Sequence, residues 1–356
     1  AQIAEFEEVT GRFGFDYQMG AFGFTDDTLL YGSLSRGYKG GGINPPQSAG
    51  LATVSNTFDP EFINAIELGS KSTLFGGAGV LNLAAFYYDY EGYQISAIVN
   101  RTSVNQNVDA EVKGFEAEFY YQVTDNLRID STIGLLDATL NDQAPLLDTF
   151  DQTGGDPNWL VVKDAGTTQN CIANAAQVNT LLTAAGGALA GTAAFLCTPD
   201  APQASLGGAS LNQFLTLNGL PTFDVGEEIL TGNPVDVSGN SLPRAPDMTF
   251  SVGAEYEWAV SDSWNASIRG DFYYQSEMFT RIFNLEADRI DSWQNANAAF
   301  QLTNDAAGLE IELYGKNLLE DDQITNQYLT DASSGMFTNT FLLEPRQFGI
   351  RVSKDW

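Results

Sequence analysis

The chain has 356 residues, with 16 Lys and Arg against 46 Asp and Glu and a formal net charge of −30. That balance repels a phosphate backbone and excludes nucleic acid as a partner. There is no histidine and there are two cysteines, which removes Ser-His-Asp and Cys-His triads and zinc sites of the Cys/His kind, and leaves carboxylate-only chemistry open.

An ordinary acidic soluble protein and a surface protein with soluble loops both fit the charge. No stretch reaches the ~18 apolar residues of a membrane helix. The opening AQIAEFEEVT lacks a basic start and an apolar run. The expectation is a cytosolic protein, a mature secreted chain or a piece of something longer.

The repeating signal is alternation with period two. Eleven strands are predicted, at 9–24, 28–40, 61–75, 80–97, 109–123, 127–140, 244–259, 264–278, 289–302, 308–317 and 343–356. In KGFEAEFYYQV, Phe115, Ala117, Phe119, Tyr121 and Val123 share one face, opposite Glu116, Glu118 and Gln122. MTFSVGAEYEW and WNASIRGDFYY repeat the pattern. Many of these strands exceed the length usual in a soluble sheet and reach the ~9–11 residues that cross a bilayer at a tilt. The fold class read from this is all-β, a transmembrane antiparallel up-and-down barrel.

The connections sort by length in the same order. Tight turns are predicted at TDD (25–27), GGAG (76–79), TDN (124–126), SDS (261–263) and NDAAG (304–308). Between them lie longer links, around 41–60, 98–108, 141–243, 279–288 and 318–342. A membrane barrel has short turns at one rim and long loops at the other, whereas a soluble sandwich has no reason to sort its loops. FYYDYEGY (86–93), EYEW (255–258) and FYY (272–274) fit aromatic girdles at the two membrane interfaces.

Residues 141–243 interrupt the rhythm as one long extracellular insertion without strands, expected to act as a cap or gate. VNTLLTAAGGALA within it reads as a short helix weakened by Gly186 and Gly187. Cys171 and Cys197 both fall in this insertion. In an oxidising compartment they are expected to be bonded, and two free thiols are the alternative.

Two motifs are weighed and set aside. SRGYKGGGIN (35–44) lacks the GK[ST] ending and the following helix of a phosphate loop. The pairs Glu116/Glu118, Glu255/Glu257 and Glu310/Glu312 each leave one strand on one side, whereas a glycosidase needs carboxyls facing across a cleft. They read as residues facing a wet lumen. No cofactor or metal site is expected.

In order and spacing, DDTLLYGSLSRGYKGGGIN, FDPEFINAIELGSKSTLFGG, LNLAAFYYDYEGYQ, VKGFEAEFYYQVTDNLRIDSTIGLLDATL, LPRAPDMTFSVGAEYEW and IELYGKNLLEDD resemble the barrel of TonB-dependent outer-membrane receptors. The ending EPRQFGIRVSKDW resembles that family's last strand, with Phe348, Ile350, Val352 and the terminal Trp356 as the signal read by the barrel assembly machinery. The resemblance implies a 22-stranded barrel around an N-terminal plug, in the bacterial outer membrane. It implies uptake of a scarce nutrient such as a ferric siderophore, driven through the TonB complex.

Eleven strands and no plug make the expectation a partial barrel, 1–356 being the C-terminal portion. Its partners would be outer-membrane lipid, the missing plug and barrel half, TonB through that plug, and a small cargo. Candidate ligand contacts are Arg36, Tyr38 and Lys39 near the top of the second strand, and Arg281 and Phe283 after the eighth. A passive porin and a soluble carbohydrate-active enzyme stay as alternatives.

Overall fold

The computed structural model of the chain describes residues 3–45, 55–99, 102–141, 145–164, 170–184, 195–224, 226–227, 229–332 and 334–355. Its main body is one 11-stranded antiparallel sheet in which each strand pairs with the next in sequence. The strands are β1 (Gly11–Met19), β2 (Thr25–Lys39), β3 (Glu61–Leu74), β4 (Gly79–Val99), β5 (Thr102–Gln122), β6 (Leu127–Leu140), β7 (Met248–Ser261), β8 (Trp264–Gln275), β9 (Trp293–Asn304), β10 (Leu309–Lys316) and β11 (Gln347–Lys354). This is the meander of an up-and-down barrel, here open: β1 and β11 are the two ends of the sheet.

Alternation and register give the sheet two unlike faces. On one face Tyr256 lies between Leu127 and Ile268, and Ile268 in turn opposes Phe300. Ile311 opposes Leu302 and Val352, and Leu313 opposes Phe300 and Ile350. Ile268, Leu313, Phe348, Ile350 and Val352 are all exposed there. Trp356 lies outside the described residues.

The other face holds charge in cross-strand pairs. Arg128 on β6 donates to Glu255 on β7 at 2.7 Å. Arg269 on β8 reaches over Gly253 of β7 to Asp130 on β6 at 2.9 Å, and also grips Asp271 at 2.5 Å. Arg351 on β11 donates to Glu312 on β10 at 2.7 Å. A side chain at Gly253 would collide with the Arg269 guanidinium, so the bare backbone there is what lets one arginine span three strands.

The aromatic runs do not face one way. Tyr256 and Trp258 share the apolar face, their rings 5.7 Å apart, and Phe75 stacks near Tyr121 at 4.5 Å by the tight-turn rim. Phe86, Tyr88 and Tyr90 share the charged face instead, because β4 alternates, and only Tyr87 of that run points outward. Tyr273 likewise turns from Phe272 and Tyr274 and meets Trp293 at 5.0 Å. Three successive aromatics in a strand cannot all meet lipid.

Two connections differ from the sequence reading. The first tight turn is at 20–24, where Gly23 has φ 61° and Phe22 bridges to Thr25, so Thr25–Asp27 already belong to β2. The link at 98–108 is largely strand: past a bulge between Tyr90 and Tyr93, β4 and β5 continue as a ribbon to Val99 and Thr102. Gly92 has φ 67° at that bulge, and Asp109 accepts its N–H at 2.7 Å.

The insertion is built, not bare loop. Trp159–Lys163, Asn170–Asn174 and Ile229–Leu230 form a three-stranded sheet, which the expected strandless loop lacks. Ala175–Ala184 is a helix, α1, and Leu211–Leu217 a second, α2. The tail of the predicted helix, 185–190, lies outside the described residues. Ser210 and Gln213 cap α2 reciprocally, at 3.1 and 2.9 Å. Ala173, Val178, Leu181, Leu196, Leu211, Leu215 and Phe223 form a core of their own around a disulfide between Cys171 and Cys197.

That small core depends on closure of the 26-residue span between its cysteines. Replacing both (Cys171→Ser with Cys197→Ser) is expected to weaken it by about 3–4 kcal/mol, read as faster proteolysis within the insertion while the barrel strands stay resistant. Spin labels at Ile268 and Ile311 are expected to be quenched by lipid-soluble oxygen, and labels at Ser267 and Glu310 by a water-soluble relaxer.

Candidate functional site

The charged face becomes apolar at its upper end, beyond the residues that pair across the middle of the sheet. There Val108, Ala110 and Val112 of β5 and Leu136, Ala138 and Leu140 of β6 meet Leu146, Val235, Val237 and Leu242 of the insertion. Leu140, Val108 and Val237 are fully buried by this contact. Burial of apolar surface thus pulls the insertion inward over the mouth of the sheet rather than outward into solvent. Backbone bonds fasten it, with Leu136 N–H donating to Asp247 and Leu242 N–H to Ala138, both at 2.9 Å.

A cavity of about 540 Å³ remains beside this packing. Four segments wall it. The β4–β5 ribbon gives Tyr93 and Gln94, and the insertion gives Leu146 and Arg244. The connection after β8 gives Arg281 and Phe283, and the one after β10 gives Gln327 and Tyr328. Its size suits a small molecule, and its lining of aromatic and aliphatic groups with a few polar ones is the usual character of such pockets.

Arg281 is the knot of the wall. Its guanidinium donates to Asp148 of the insertion at 2.6 Å and to Asp288 of its own connection at 2.6 and 3.0 Å. Both carboxylates are nearly buried. The rings of Phe150 and Phe283 stand 5.6 and 5.4 Å from the same cation. Burial works against the charged form, but the two carboxylates outweigh it and hold Arg281 above its ordinary range. Arg281 therefore staples two connections together, and its charge is already neutralised.

Arg244 differs. Its backbone is in the left-handed region at φ 60°, held by an N–H bond to Phe279 at 2.7 Å. Its guanidinium donates to the amide oxygen of Asn326 at 3.3 Å. Among the described residues it makes no ion pair.

The other sequence candidates lie elsewhere. Arg36 and Tyr38 share the outward face with Leu30 and Leu34. Arg36 donates to Asn64 and Glu91 and sits 4.3 Å from the Phe62 ring. Lys39 points to the opposite face and pairs with Glu61 at 3.4 Å. On the outward face, Tyr87, Glu111, Lys113 and Asp137 form a similar cluster, with Lys113 3.0 and 3.2 Å from the two carboxylates. These two charged clusters mark where the apolar band stops. Of the five candidates, only Arg281 and Phe283 line the cavity. No group of three His, Cys, Asp or Glu able to hold a metal occurs among the described residues.

A family model described as "TonB dependent receptor-like, beta-barrel" matches residues 3–318. The chain belongs to that family. Its TonB-dependent receptor fold is seen again in solved structures. The ferric yersiniabactin uptake receptor FyuA from Yersinia pestis is 14% identical with a TM-score of 0.60, covering 98% of this chain and 37% of that one. The siderophore receptor PiuA from Acinetobacter baumannii is 14% identical at 0.55, covering 96% and 35%. BauA, the ferric preacinetobactin receptor from the same organism, is 13% identical at 0.53, covering 98% and 36%. At such identities the likeness concerns the fold. The chain spans little more than a third of the length of these receptors. A comparison with curated protein sequences found no match.

Asp148, Asp288, Arg244 and Tyr328 were not singled out by the sequence. Asp148 and Arg244 stand at opposite ends of the insertion, Asp288 and Tyr328 come from two further connections, and no local pattern relates them. Replacing Arg281 by Met leaves Asp148 and Asp288 buried without a counter-ion. The expected cost is about 3–5 kcal/mol of local stability, measured as protease cutting of the insertion, with partial rescue when Asp148→Asn and Asp288→Asn are added.

Proposed function

We propose that this chain supplies eleven strands and the gating loops of an outer-membrane TonB-dependent receptor, and that the intact receptor takes up a scarce nutrient, a ferric siderophore foremost. On this reading 1–356 is the C-terminal portion of the barrel, the loop rim is extracellular, and 141–243 is an extracellular insertion. The remaining strands and a plug come from the rest of the protein, and TonB acts through that plug. The observation that carries the reading is the cavity at the loop rim, walled by four connections that converge over the inner face.

Several features support it. The family model covers most of the chain. FyuA and PiuA, which share the fold, are a ferric yersiniabactin uptake receptor and a siderophore receptor. Hydrocarbon demands that every strand edge be paired, so the ends β1 and β11 call for further strands. The open-channel alternative is disfavoured because the insertion packs into the mouth instead of standing clear of it. The enzyme alternative is disfavoured because Glu255 and Glu312 are each held by an arginine rather than facing a partner carboxyl across a cleft.

In cells carrying the intact receptor, accumulation of radiolabelled iron from its siderophore is expected to require TonB and to fall to background when residues 141–247 are deleted. Equal accumulation without TonB would favour a passive channel.

A further inference from the structure

The cavity wall and its surroundings are short of usable positive charge. Of the four segments that wall it, 141–247, 276–292 and 317–346 carry twenty Asp and Glu against five Lys and Arg, and the ribbon 91–108 adds Glu91 and Arg101, the latter outside the described residues. Three of those five are already committed to carboxylates. Arg281 is bound to Asp148 and Asp288, Arg289 to Glu277, Glu286 and Asp291, and Arg346 to Glu320. Lys163 is not among the lining residues and donates to the Ala332 carbonyl. Arg244 alone lines the cavity without a carboxylate partner among the described residues.

What faces the space instead is uncharged. Gln94, Gln106 and Gln327 offer amides, Ser103, Thr149 and Thr330 offer hydroxyls, and Tyr93, Phe283 and Tyr328 offer rings. Asp331 is the one carboxylate in the lining, and it accepts an N–H from Ser334 at 2.8 Å. A multiply charged anion entering here would meet the net negative charge of these connections and, among the described residues, one guanidinium without a carboxylate partner. A neutral or cationic molecule meets no such barrier, and the field raises the local concentration of a cation.

We infer that the cargo of this receptor carries no net negative charge: it is an uncharged or cationic polar molecule, held by neutral hydrogen-bonding groups and stacked aromatic rings, and anionic chelates are rejected. This rests on the uptake reading above and narrows it, since ferric siderophores come in anionic, neutral and cationic forms.

The test uses the intact purified receptor in detergent, offered four probes separately. They are an uncharged ferric trihydroxamate, a cationic linear one, a trianionic ferric tris-catecholate and an uncharged maltooligosaccharide. Retention on the receptor is measured, and each probe is repeated with Arg244→Gln. The expected result is that the tightest retained probe is neutral or cationic, at least about tenfold above the catecholate, and that Arg244→Gln changes it by less than about threefold. The sugar arm separates a metal chelate from an uncharged sugar within the same class. Tightest retention of the catecholate overturns the inference, as does its loss by more than about tenfold on removal of Arg244. Retention of none of the four overturns the cavity as a cargo site. Retention of a neutral probe that cells do not accumulate through TonB would sink the uptake reading while leaving the charge selectivity standing.

Discussion

Hydrocarbon offers no partner to a backbone N–H or C=O, and the rest of this molecule follows from that. A chain can cross it with strands only if each ladder is complete from one neighbour to the next. The sheet obeys this from β1 to β11, with strictly sequential antiparallel pairing and tight turns at one rim. Because side chains alternate, the same ladder sorts them automatically: Ile268, Ile311 and Ile350 on the side of lipid, Arg128, Glu255 and Arg269 on the side of water. The charged pairs of the inner face are half-exposed, so they contribute modestly to stability. Their effect is to tie neighbouring strands in register across an interior that has no apolar core.

The loop rim works by a different principle. There the inner face becomes apolar, and the insertion is drawn onto it by burial of Leu140, Val108 and Val237. A second, disulfide-closed core then lets the far part of the insertion hold its own shape. Beside the first of these cores the connections meet in a cavity. Arg281 holds it together by satisfying two buried carboxylates from different segments.

Much of this was legible in the sequence. All eleven strands of the sheet were readable from alternation alone, because one wet and one greasy face force a period of two over many residues. The misplaced features were local. TDD resembled a turn, but Gly23 with its positive φ turns the chain three residues earlier. The 98–108 link looked like loop because its ribbon lies above the membrane, where neither face must be greasy and the period fades. Arg36 and Tyr38 looked like ligand contacts because they sit high on a strand. Strand parity sends them outward, where Arg36 meets Asn64 and Glu91.

What the sequence determined by itself was the wall: strand number, sheet order and the sorting of side chains to two solvents, since these depend on residues close together along the chain. What only the tertiary structure decided was the mouth. Arg281 belongs with Asp148, 133 residues away, and Arg244 with Asn326, 82 residues away. Their meeting depends on how an inward-folded insertion packs on the inner face, and no spacing in the chain encodes a contact made by burial across four separate connections.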